Sequence, residues 1–254
     1  MIPPDYFLVV AFGFLLGMID ASFGMGYGTL LTPMLLAVGL DPLQVIPAVL
    51  GSQLAGDFLA ALFHHRFKNV DFSWGSRQLK VAGMLAILSV AGAVIAVLIA
   101  VNLPALHLTL YIGTSVAVSG LVILAVRKRS YDFSWGRLLC LGSFAAFNKG
   151  ISGGGYGPIV VAGQILSGIE VKGAIGITAL AEGVTCIVAL FSYLLVGESV
   201  DWLLLILLSI GITFSTPLAA FVVKKVESRR MKLMIGIFTL VLGLATILQA
   251  LQKI

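Results

Sequence analysis

The sequence predicts an all-α membrane protein built as two inverted-topology repeats of five helical segments each. Three observations carry that prediction. Of 254 residues, 59% are hydrophobic and only 11% charged, against about 25% charged in a soluble domain. Apolar runs long enough to cross a hydrocarbon core of about 30 Å recur along the chain, among them 79–101, 106–126, 202–223 and 233–251. Two glycine clusters, Ser22-Phe23-Gly24-Met25-Gly26-Tyr27-Gly28 and Ile151-Ser152-Gly153-Gly154-Gly155-Tyr156-Gly157-Pro158, then interrupt apolar segments in which glycine is unfavourable.

The first segment, 5–22, leads into the first cluster. It holds no Lys or Arg, so the basic start of a cleavable signal peptide is missing and the N-terminus is expected to be retained. The second, 27–39, is short: ten residues separate Gly28 from Gly39, a helix of about 15 Å or half a bilayer. The third, 43–65, is full length and ends at Arg66, and the fourth and fifth occupy 77–102 and 105–127. The remaining five are 136–151, 156–168, 171–197, 201–224 and 231–252. Sliding them back by 129 positions superposes Gly153, Gly155, Tyr156, Gly157 and Gly168 on Gly24, Gly26, Tyr27, Gly28 and Gly39. A spaced set of matches centred on the interruptions points to an internal duplication, with repeats at 1–129 and 130–254 inside one transmembrane domain.

Orientation follows from the loops. Arg66, Lys68, Arg77 and Lys80, then Arg127, Lys128, Arg129 and Arg137, then Lys224, Lys225, Arg229, Arg230 and Lys232 mark three basic loops, which are expected to be cytoplasmic. The net charge of +5 is therefore a topology signal and not an affinity for nucleic acid. Loops near Asp41, His107 and 198–201 carry no Lys or Arg and are expected outside, as are both termini of what reads as a plasma-membrane protein. The third segment then ends inside and its counterpart, the eighth, ends outside, so the repeats are inverted. Trp74, Trp135 and Trp202 each closely follow an aspartate, which suits helix starts at the interfacial belt.

The two half-length segments are expected to form re-entrant hairpins, with irregular backbone at membrane depth sheltered by protein or a watery cavity. Each short helix would aim its unpaired N–H groups and positive dipole end at the protein's centre. Pro158 suits the first helical turn. Glycine-rich turns feeding helix N-termini are anion sites, because amides converge where no side chain blocks approach. Gly24, Gly26, Gly28, Gly153, Gly154, Gly155 and Gly157 are therefore candidate substrate ligands. The competing reading is that they allow close helix packing.

Asp20, Asp57, Lys149 and Glu182 are the charges expected inside the membrane, where function is the default explanation. Asp20 and Lys149 are repeat equivalents of opposite sign, suited to an ion pair or to complementary roles. Lys149, at a helix C-terminus, offers three donors to an anion. Asp20 also sits at a helix C-terminus, whose dipole opposes its ionisation and would suit a coupling proton. Gln53 and Asp57 share a helix face, as do Thr178, Glu182 and Thr185, with Gln53 equivalent to Glu182. Asn148, Ser22 and Ser152 add hydrogen-bonding groups beside the interruptions. Tyr27 and Tyr156 either pack against the turns or line the cavity. His64 and His65 read as interfacial residues without a metal role, and Cys140 and Cys186 as small buried hydrophobes. No metal or cofactor is expected.

These residues resemble the TauE/SafE family of sulfite exporters across essentially the whole chain. The likeness rests on Gly-Met-Ile-Asp-Ala at 17–21 followed by Gly24 to Gly28 and Pro33, and on Asn148-Lys149-Gly150 followed by Gly153 to Pro158. The first cluster lacks the family's run of consecutive glycines, and Ala162 stands where a proline is usual. The resemblance implies transport of sulfite, a sulfonate or a related oxoanion. The residues themselves leave open a carrier, an anion channel with Lys149 in the pore, and an intramembrane serine hydrolase at Gly150-Ile151-Ser152-Gly153. The last lacks a histidine near Ser152 to act as base, leaving only Lys149, so the chain is read as no enzyme.

Overall fold

The computed structural model describes residues 6–37, 42–100, 105–126, 128, 132–152, 156–195 and 200–251. They form helices α1 (Tyr6–Phe23), α2 (Tyr27–Ala37), α3 (Pro42–Arg66), α4 (Arg77–Ala100), α5 (Ala105–Val126), α6 (Trp135–Ser152), α7 (Tyr156–Leu166), α8 (Val171–Leu195), α9 (Trp202–Lys225) and α10 (Ser228–Leu251). Among the described residues there is no strand. Among the described residues, five helical stretches, in α1, α3, α8, α9 and α10, are both long and apolar enough to cross a membrane. The large apolar side chains left outside the bundle, such as Phe7, Leu62, Ile87, Phe191 and Phe214, are what a lipid-facing surface requires.

The helix bounds carry the 129-residue offset. α1, α2 and α3 match α6, α7 and α8 at both ends after that shift. α2 and α7 are 11 residues each, about 16 Å of helix.

Small residues set the packing register. Gly13 of α1 lies against Leu208 of α9 and Gly17 against Ile212 and Ser215, so these two helices run parallel. Their counterparts behave alike: Arg77 at the start of α4 stacks on Phe133 beside the start of α6, and Gly142 of α6 meets Leu85 further along. α3 and α8 run antiparallel, Gly51 lying near Leu190, Asp57 near Gly183 and His64 near Gly176. α5 and α10 are also antiparallel, with Gly113 against Ile247 and Gly120 against Leu240. Where α1, α3, α8 and α9 converge, Ala21, Ala60, Ala179 and Ala219 form a buried cluster. Short side chains there let the backbones approach closely.

Trp135 and Trp202 begin α6 and α9. Asp201 caps α9, its Oδ1 accepting from the Leu204 N–H at 2.9 Å. Asp201→Ala is expected to destabilise the protein by about 1 kcal/mol, read as a lower melting temperature in detergent; an unchanged midpoint would show the cap to be dispensable. Trp74 departs from expectation. It stands in the turn before α4, 99% exposed, because Asp71 accepts from the Ser73 N–H at 2.9 Å and from its Oγ at 2.6 Å. That local turn competes with a helix start, and the Ser73 bonds hold the Asp71 carboxyl below the usual carboxylate range. Cys140 also differs from its reading: Cys186 is buried, whereas Cys140 lies on the outer side of α6, where an apolar surroundings also accommodates a thiol.

Candidate functional site

The first interruption is a true break. α1 stops at Phe23, Gly24 and Gly26 take φ values of 71° and 125°, and α2 starts at Tyr27. A side chain at either position would be strained. The Gly24 N–H returns to the Asp20 carbonyl at 2.6 Å, while the Gly26 carbonyl accepts the first bond of α2 from Leu30 at 3.0 Å. Gly26 thus occupies the capping position of α2 without a capping side chain. Asp20 supplies one from the preceding helix: its Oδ1 accepts from the Tyr27 N–H at 3.0 Å. This revises the electrostatic reading of Asp20. Its backbone belongs to the negative end of α1, but its carboxylate reaches over the break to the positive end of α2, where negative charge is favoured.

The other side of the break is capped as well. The Ala21 carbonyl accepts from His64 Nε2 at 2.8 Å. His64, read from sequence as interfacial, is instead fully buried, because α1 and α3 end side by side. His65 stays exposed, as expected. Asn69, in the turn after α3, donates through Nδ2 to His64 Nδ1 at 3.1 Å and to the Ala220 carbonyl of α9 at 2.8 Å.

At the second break, α6 ends at Ser152 and α7 begins at Tyr156. Asn148, Lys149 and Ser152 fall on the last turn of α6, with their side chains outside the described residues; Gly153, Gly154 and Gly155 lie outside them altogether. The two breaks touch. A methyl on Gly157 would stand 2.2 Å from the Gly24 carbonyl oxygen and 2.8 Å from Met25 Cα, so the missing side chain is what lets the two backbones meet. Gly157 therefore serves the close packing that the sequence left as a competing reading. Gly28 is buried at the first turn of α2, and Ser22 is half-buried in the last turn of α1.

Both tyrosines are buried and bonded. Ser52 Oγ donates to the Val49 carbonyl at 2.9 Å, so the Tyr27 hydroxyl, 3.0 Å from that Oγ, is the donor to it. Ser89 donates to the Tyr156 hydroxyl at 2.8 Å. Each ring is thus anchored to a neighbouring full-length helix, Tyr27 to α3 and Tyr156 to α4.

The polar faces of α3 and α8 turn inward, with Gln53, Asp57, Thr178, Glu182 and Thr185 all buried. Cys186 Sγ approaches Asp57 Oδ2 at 3.9 Å. Asp57 and Cys186 are one repeat offset apart, so equivalent positions meet at this crossing. The register places Glu182 near the level of Asp57 and Gln53 about one turn away. Thr178 accepts from Gln164 Nε2 at 2.7 Å, and Thr185 donates to Ala181 within α8 at 2.8 Å. Gln53 Oε1 is buried without a hydrogen-bond partner among the described residues. A cavity of about 210 Å³ opens elsewhere, between the starts of α4 and α6 and the turn before α8, lined by Arg77, Gln78, Phe133 and Glu170 among others.

Apolar helices long enough to span, two half-length helices and buried charge around their breaks define a multi-pass membrane transporter. The chain belongs to the family described as Sulfite exporter TauE/SafE, which it matches over residues 9–246. It is 28% identical over 255 residues to the "Probable membrane transporter protein YtnM" of Bacillus subtilis (strain 168), covering 95% of this chain and 82% of that protein.

Proposed function

We propose that this protein is a secondary carrier of small sulfur-containing oxoanions, sulfite or a sulfonate, in the plasma membrane, with both termini outside. In this reading the halves are inverted repeats, α1–α2 and α6–α7 are re-entrant hairpins, and one half rocks against the other in alternating access. The direct backbone contact between the breaks at Gly24, Met25 and Gly157 carries the proposal. It makes the junction of the two hairpins a place where movement of one half is felt by the other. The antiparallel run of α3 against its equivalent α8, and of α5 against α10, supports inversion, as does the parallel pairing of both α1 with α9 and α6 with α4. The sulfur chemistry rests on the family's description.

The helix ends then take complementary parts. Asp20 is an internal anion already seated on the α2 N-terminus, and the transported anion is held by Lys149, with Asn148, Ser152 and the glycines from Gly153 to Gly155. Binding there draws the Lys149 charge toward the substrate, changes the field at Asp20 and so links its protonation to movement. Asp57, Glu182 and Gln53 complete the polar interior through which this change is felt. The role is transport without catalysis.

Lys149→Ala is expected to lower sulfite uptake into proteoliposomes at least about tenfold, in line with loss of a charge-assisted contact worth about 1.5–3 kcal/mol. Parental uptake by this variant would remove Lys149 from the site. Saturation and counter-exchange distinguish the carrier from a channel, whose flux rises without saturating at comparable concentrations.

A further inference from the structure

We propose that His64 is the positioning residue of the first break: a neutral side-chain cap on α1, held in one tautomer by Asn69, that an added proton releases. The tautomer follows from the partners. A carbonyl only accepts, so Nε2, at 2.8 Å from the Ala21 carbonyl, carries the hydrogen. The Asn69 amide nitrogen only donates, so Nδ1, at 3.1 Å from it, presents a lone pair. The second hydrogen of that nitrogen goes to the Ala220 carbonyl at 2.8 Å. Both ring nitrogens of His64 and both amide hydrogens of Asn69 are thus matched between the Ala21 and Ala220 carbonyls.

One proton breaks the match. On Nδ1 it would point at an N–H of Asn69. Turning the Asn69 amide over repairs that contact but sets Oδ1 against the Ala220 carbonyl, two acceptors facing each other. Protonation therefore breaks either the His64–Asn69 bond or the Asn69–Ala220 bond, and the tie between the turn after α3 and α9 is lost. The clamped state takes up no proton at Nδ1 and the released state does, so acidification favours release.

The ring is enclosed on all sides. The Gly176 backbone of α8 lies against its Cβ, with Val70 alongside. Charged or titratable groups on the surrounding elements are Asp20 on α1, Asp57, His65 and Arg66 on α3, Lys68 and Asp71 in the turn after it, Lys172, Glu182 and Cys186 on α8, and Lys224 and Lys225 on α9. Of these, Lys172 donates to the Lys224 carbonyl at 2.9 Å, and Asp20 accepts from Tyr27. Both ring nitrogens are already taken by Ala21 and Asn69. Ala21 is adjacent to Asp20, so release of His64 loosens the same segment whose carboxylate caps α2. This consequence for transport rests on the carrier reading; the clamp does not.

The test uses the full-length protein in detergent, without any anion. Hydrogen exchange in 67–71, corrected for the intrinsic pH effect, should accelerate by about tenfold per pH unit as the protein is acidified through the histidine range. His64→Gln, which keeps a donor for Ala21 but takes no proton, should show no such acceleration. Asn69→Ala should exchange rapidly at both ends of the range. Nitrogen NMR of histidine-labelled protein, with His64→Gln identifying the signal, should give an Nε2–H tautomer at neutral pH. An Nδ1–H tautomer, or an acceleration undiminished in His64→Gln, would overturn the proposal whether or not the variants transport. In the uptake assay the parent's pH response should be reduced in His64→Gln. An unchanged response alongside an exchange signature that is lost would overturn only the link to transport, separately from the Lys149→Ala test of anion binding.

Discussion

Gly157→Ala is expected to abolish uptake and to lower the melting temperature. The added carbon would stand 2.2 Å from the Gly24 carbonyl oxygen and 2.8 Å from both Met25 Cα and Cβ. Two of those are backbone atoms, so no rotamer change relieves the overlap. The neighbourhood has little room to yield: Gly24 needs its positive φ, and Met25 is buried, with its Sδ accepting from Thr239 Oγ1 at 2.8 Å. Overpacking a well-filled interior costs about 1–3 kcal/mol or more, and a backbone-to-backbone clash belongs at the upper end. Gly83→Ala on α4 is the control. A methyl there meets nothing within 4 Å, and removing a helical glycine should leave stability unchanged or raise it by up to about 1 kcal/mol. Thermal melting followed by size exclusion compares the two. If both variants melt with the parent, the two breaks do not touch.

The contrast between those glycines explains how far the sequence could be read. Local signals were legible. Half-length helices and the breaks rest on residues close together in the chain, the 129-residue offset is the recurrence of that local pattern, and the observed helices fall within a few residues of the expected bounds. The inward turn of Gln53, Asp57, Thr178 and Glu182 was also legible, because a polar stripe on a membrane helix has only one favourable direction. Partners were not. Nothing in the order of residues shows that α1 and α3 end together, so His64 looked like one of a pair at a basic rim and not like a cap for Ala21. The only available hint was its place on α3, a little over three turns beyond Ser52 and on a helix already carrying Gln53 and Asp57. Asp20 was misjudged for a related reason. Its position along α1 was right, but a side chain at a helix end can reach over a turn, and here the turn brings the next helix's first N–H within 3.0 Å.

That bond makes Asp20 the position where charge and shape can be separated. Asp20→Asn keeps an oxygen able to accept from Tyr27, so the variant is expected to fold, losing about 1 kcal/mol as a charge-assisted bond becomes a neutral one. Asp20→Ala leaves the Tyr27 N–H without its acceptor beside a glycine that cannot replace it, a loss of about 1–3 kcal/mol, and is expected to melt earlier than Asp20→Asn. Transport orders the variants differently. If the carboxylate is the group whose protonation follows anion binding, Asp20→Asn carries anion down its own gradient yet no longer responds to an imposed proton gradient. Uptake of sulfite into proteoliposomes with and without that gradient, at one internal pH, gives the answer directly. An Asp20→Asn protein that is as stable as expected and as proton-responsive as the parent would confine Asp20 to capping α2. The coupling group would then have to be sought at Asp57 or Glu182, the remaining buried carboxylates of the α3–α8 crossing.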